Sequence, residues 1–118
     1  MNSYAILLLG GDVSSNVVIY GGYPTADAAI QSIINTGKPW SYQVFQAFGQ
    51  AAGPPTGNYN PIAVAPGMWL AVTAGFDKYG NSRLYGYGQW GDATAANNWI
   101  SSAGIPGAYS IGQVLAAI

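Results

Sequence analysis

Acid/base or metal chemistry in this chain would have to run through four aspartates, because the sequence holds no histidine, no cysteine and no glutamate. Zinc ligation by His or Cys is excluded, and so are the Ser-His-Asp and Cys-His nucleophile arrangements. Asp27 and Asp92 stand at the starts of two helix-like segments. A carboxylate there complements the helix dipole, worth about 0.3–1 kcal/mol. Asp12 and Asp77 fall in turn-like stretches, where Asp bonds its own backbone. Nothing in the spacing brings two of them together as an acid/base pair or a metal site. GGDVSS and YGYGQWGD are glycine-rich but carry neither GxGxxG nor GK[ST]. The second runs into a helix start that would attract an anion, and Asp92 opposes one there. The expectation is a protein with no catalytic residues, no metal and no cofactor; a small enzyme with an unrecognised aspartate site ranks third among the readings.

Binding chemistry is better represented. Tyr79, Tyr85, Tyr87 and Trp90 cluster in one short stretch. Tyr85 and Tyr87 lie two apart and share a strand face, while Leu84, Gly86 and Gly88 point the other way. Glycines on a strand mark close approach of another backbone or ring. If the glycines meet the helices, the tyrosines form an outward stripe; if the tyrosines meet them, they are large core residues. An outward stripe brings contact area at low entropy cost. The candidate contact residues are Tyr85, Tyr87 and Trp90, with Tyr59 and Ile62 from a Pro/Gly-rich stretch.

The elements that must position these residues come in two sets. At an offset of 67, residues 3–51 and 70–118 align without a gap with eleven identities: Ser15/Ser82, Tyr20/Tyr87, Gly21/Gly88, Ala26/Ala93, Ala28/Ala95, Ala29/Ala96, Ile33/Ile100, Gly37/Gly104, Pro39/Pro106, Tyr42/Tyr109 and Gln46/Gln113. Composition alone gives about four. Thr25 and Asp92 are matched N-caps. ADAAIQSIINT and ATAANNWISSA follow, with Gly37 and Gly104 as left-handed stops and Pro39 and Pro106 beyond them. The inward stripes are Ala26, Ala29, Ile30, Ile33 and Ile34, and Ala96, Trp99, Ile100 and Ala103. YAILLLG and NVVIYGGY precede the first helix and SYQVFQAF follows it; MWLAVTAGF, SRLYGYGQW and AYSIGQVLAAI are their counterparts. GQAAGPPTGNYNPIAVAPG, residues 49–67, joins the halves, either as a plain connector or as an arm carrying Tyr59 and Ile62 to a neighbour.

One domain of two strand-strand-helix-strand units follows. The expected fold is α+β: a mainly antiparallel sheet of about six strands, with pseudo-twofold symmetry and both helices on one face. The strand-helix-strand core used twice resembles the ferredoxin-like group, in whose neighbourhood the SPOR-type peptidoglycan-binding domains lie. That resemblance is one of topology and carries no motif residues.

Only 6% of the 118 residues are charged, against about 25% in an average soluble domain, and the net charge is −1. Such a surface is not kept apart by repulsion, so association is favoured. Three basic side chains are too few for the phosphates of a nucleic-acid complex. The apolar run AILLL is too short for a signal segment or membrane span and reads as a buried strand. These features point to a non-catalytic assembly or interaction protein with a protein partner, itself or a larger scaffold such as a virus or phage particle that it decorates. The expected location is virion-associated or cytoplasmic. The alternative is a carbohydrate- or cell-wall-binding module using a Tyr/Trp strand face.

Overall fold

The computed structural model describes residues 1–9, 18–39, 41–49, 60–76, 82–102 and 109–118. Its elements follow in the order β1 (Tyr4–Leu9), β2 (Val18–Tyr23), α1 (Ala26–Asn35), β3 (Ser41–Gly49), β4 (Trp69–Phe76), β5 (Ser82–Trp90), α2 (Ala93–Ser102) and β6 (Tyr109–Ala116). Local chemistry sets the helix limits. Thr25 Oγ1 accepts the Ala28 N–H at 3.0 Å, and Asp92 Oδ1 accepts the Ala95 N–H at 2.7 Å. Gly37, at φ +68°, closes α1 with its N–H on the Ile34 carbonyl. Gly104 and Pro106 lie outside the described residues, as do Asp12, Asp77 and Tyr79.

The strands close into a barrel in the order β1-β2-β6-β4-β5-β3. Within each half the pairings are antiparallel: β1 with β2 and β3, and β4 with β5 and β6. The halves join through two parallel seams, β2 with β6 and β3 with β5. Registers correspond across the halves. Tyr4 pairs with Tyr23 and Gln46; Trp69 pairs with Trp90 and Gln113. The first strands of the halves therefore correspond at an offset of 65 residues, and the second and third strands at 67. The ungapped alignment sets β1 against β4 two residues out of register.

This architecture corrects the open sheet expected from the sequence. The sheet is mixed and closed, and the helices lie on different parts of the barrel wall: α1 contacts β1, β2 and β3, whereas α2 contacts β4, β5 and β6. The physical reason is two-sided burial. Ala5 and Leu7 belong to the barrel interior, while Ile6 packs under α1 with Tyr23, Ala29 and Ile33. A strand covered on both faces reads as a continuous apolar run, which AILLL is. Each three-stranded sheet buries one face under its own helix and the other against the opposite sheet. Neither helix has to share a surface with the other.

Six strands enclose less room than the eight that leave an interior just filled by side chains. The inward positions answer with small residues among a few large ones. Ala5, Ala47, Gly86 and Gly88 alternate with Leu7, Phe45, Leu70, Val72 and Val114. A Cβ on Gly86 would stand 2.5 Å from the Phe45 ring. Residues 60–65 cross one end of the barrel. The Ile62 N–H donates to the Ala47 carbonyl at 3.1 Å and the Val64 N–H to the Asn2 carbonyl at 2.8 Å, while the Asn60 carbonyl accepts from Gly49 at 2.9 Å. Val64 and Met68 are buried in the interior cluster and Ile62 packs on it. Among the described residues no helix is long and apolar enough to cross a membrane.

At Gly22 a Cβ would meet the Asn2 and Val64 carbonyl oxygens at 2.5 and 2.6 Å, both backbone atoms that cannot swing aside. Gly22→Ala is expected to cost about 1–3 kcal/mol of stability, the range for overpacking a tight site. Gly91→Ala, which meets nothing within 4 Å, should leave stability within about 0.5 kcal/mol. Urea denaturation of the two variants checks both.

Candidate binding groove and exposed seam

Strand alternation places Tyr85 and Tyr87 on the outer face of β5, with Leu84, Gly86 and Gly88 turned inward. The helix meets the tyrosine face, not the glycine face. Tyr87 is only 2% exposed, in a cluster with Ala71 and Ile100. Trp99 of α2 lies over it at 5.4 Å between ring centroids and reaches Trp90 at 5.2 Å. Aromatic pairs of this kind add about 0.5–1.5 kcal/mol each beyond area burial. Tyr87 is therefore a core residue of the second half. Tyr85 and Trp90 are half-buried at the margin of the same cluster. Ile62 is half-buried and turned onto its own barrel, and Tyr59 lies outside the described residues. The four described residues do not form one exposed stripe.

The structure gathers a different set instead. A groove of about 660 Å³ runs between α1 and the β3–β5 seam. Ala26 and Ile30 form its helical wall, residues 42–46 and Phe48 line it from β3, and Tyr4, Leu84 and Tyr85 complete it. Among the described residues no charged side chain lines it. The Gln46 amide donates to Ser3 Oγ at 3.1 Å, which fixes that side chain against β1. Ile34 follows Ile30 by one helical turn and lies outside the groove lining. It is 56% exposed, so the expectation that it faces inward is corrected.

The other seam supplies a comparison within one molecule. Positions equivalent to Ala26, Ile30 and Ile34 are Ala93, Asn97 and Ser101. There the polar side chains engage the strand: the Tyr109 hydroxyl donates to Asn97 Oδ1 at 2.8 Å and bonds Ser101 Oγ at 3.2 Å. The partner of Trp99 in α1 is Ser32, which bonds the Tyr23 hydroxyl and the Ile118 carbonyl instead of covering the sheet. Without an indole above it, the β2–β6 seam leaves Val18 38% and Leu115 45% exposed. Two surfaces thus stand out whose described side chains are uncharged: a groove over β3–β5 and an open apolar seam over β2–β6.

The two described carboxylates belong to different helices. Asp27 sits in the first turn of α1, and Asp92 caps α2. Among the described residues no three of His, Cys, Asp or Glu come together. No protein-family model matches the chain, and no curated protein or solved structure matches it either.

Sequence reasoning missed the groove because its wall and floor come from segments far apart in the chain. The available signal was the mismatch at aligned positions, Ile30 against Asn97 and Ile34 against Ser101. Folding has little use for Ile34. Ile34→Ser should change stability by less than about 0.5 kcal/mol. Ile33→Ala, one residue away but buried, should cost about 2–5 kcal/mol. Thermal melts of the pair test whether Ile34 is kept for something other than packing.

Proposed function

We propose that this protein is a non-catalytic assembly protein that associates with copies of itself through low-charge apolar surfaces. The observation that carries the reading is the β2–β6 seam, where Val18 of β2 and Leu115 of β6 stand exposed on paired strands. A net charge of −1 supplies little repulsion against such contact. Closure of the barrel leaves no described strand edge for pairing between molecules, so association has to use side-chain faces. The narrower virion expectation has no feature of the fold behind it, and the proposal stays with the coarser one.

A second reading is a glycan-binding module, favoured by Tyr4, Tyr42 and Tyr85 beside Gln43 in one groove. The aliphatic wall of Ala26, Ile30 and Val44 argues against it, since each sugar hydroxyl buried there would need a hydrogen-bond partner.

Light scattering separates the readings. The assembly reading expects a native species larger than the 12.2 kDa monomer, reduced to monomer by Leu115→Lys with unchanged circular dichroism. A wild-type monomer at millimolar concentration would contradict it.

A further inference from the structure

We infer that Ile118 is the latch of the barrel: Tyr23 and Ser32 clasp its backbone across the β2–β6 seam, and the barrel opens at that seam when the clasp lets go. The device is separate from the side-chain contact through which copies associate.

Ile118 follows β6 and so extends the second half, yet its backbone groups are taken by the first. Its N–H donates to the Tyr23 hydroxyl at 3.0 Å, and its carbonyl accepts from Ser32 Oγ. The Tyr23 hydroxyl and Ser32 Oγ are themselves 3.3 Å apart. One network therefore ties β2, α1 and the end of β6. Its base is firm, because Tyr23 is buried under α1 with Ile6, Ala29 and Ile33. The positions aligned with Tyr23 and Ser32 in the second half are Trp90 and Trp99, whose rings pack at 5.2 Å. Seating a helix on its own sheet thus requires no clasp there. The clasp answers to the seam instead.

That seam is the less secured of the two. Among the described residues β2 and β6 pair over 19–21 with 114–116, and Val18 and Leu115 of these strands stand exposed. The β3–β5 seam pairs over 46–49 with 85–88. It is also bridged from within. A Cβ on Gly86 would strike the Phe45 ring, and one on Gly88 would lie 3.3 Å from Ile62 Cδ1. The Ile62 N–H is bonded to the Ala47 carbonyl of β3, so Ile62 spans both strands. Local opening runs through the contacts that give first, which places it at β2–β6. Opening there frees the edges of β2 and β6, which closure otherwise removes. The latch keeps those edges paired within the chain.

Native-state amide hydrogen exchange of the full-length protein reads the two seams separately. In the wild type, amides bonded across β2–β6 should exchange faster than amides bonded across β3–β5. Tyr23→Phe, which keeps the ring but leaves the Ile118 N–H without its partner, should speed the β2–β6 set about tenfold. Ser32→Ala, which removes the donor to the Ile118 carbonyl and substitutes a good helix former, should speed it about threefold. In both variants the β3–β5 set should stay within about twofold of wild type, with unchanged circular dichroism. The same ratios are expected when each substitution is made in Leu115→Lys, so the latch and self-association are read apart. Unchanged β2–β6 rates in either variant would overturn the inference, as would equal acceleration at both seams, the sign of a general loss of stability. A β3–β5 set that exchanges faster in the wild type, or an effect that disappears in Leu115→Lys, would overturn it as well.

Discussion

The parallel pairing of β3 with β5, and of β2 with β6, is the contact on which the rest of the molecule depends. Each half alone is a three-stranded antiparallel sheet with a helix on one face. Its other face, carrying Ala5, Leu7 and Phe45 or Leu70 and Val72, can leave water only against the opposite half. The seams hold the two sheets at the separation of a narrow barrel, and that separation requires Gly86 and Gly88 where β5 faces Phe45 and Leu70. Removal of the free edges, the helix on each half and the plug of residues 60–65 all follow from that closure.

Two-fold correspondence makes the molecule its own control. Features present in both halves answer to folding: the N-caps at Thr25 and Asp92, the buried pairs Ala29/Ile33 and Ala96/Ile100, and the matched strand registers. Features that differ are free to serve something else. Trp99 covers Tyr87 in one half, whereas Ser32 leaves Val18 and Leu115 uncovered in the other. Asn97 and Ser101 bind Tyr109, whereas Ile30 and Ile34 stand beside a groove. Both departures leave surface whose described side chains are uncharged, the character already present in a composition with three basic and four acidic side chains. Contact with other molecules is the use that such surface suits.

Much of the element order was legible because its signals are local. Caps, a left-handed glycine stop and period-two alternation are written within a few residues, and Thr25, Gly37 and Asp92 act as those signals imply. Closure was not legible in the same way, since whether sheets open or close depends on pairings between β3 and β5 some 40 residues apart. One clue was present. AILLL has no polar alternation, so both its faces had to be buried, which an open sheet with helices on one side does not provide. The direction of Tyr85 and Tyr87 was legible only as a choice between two faces; the barrel decides it by taking Gly86 and Gly88 inward. The groove draws on α1, β1, β3 and β5 together, and no single stretch of chain announces it.

If the seam over β2 and β6 is a contact surface, its environment must change as molecules meet. Methyl chemical shifts of Val18 and Leu115, recorded from micromolar to millimolar protein, measure this directly, with buried Ile19 and Val114 of the same strands as references. The account predicts that the exposed pair moves with concentration while the buried pair stays fixed. Shifts of Val18 and Leu115 that stay constant over that range would contradict it.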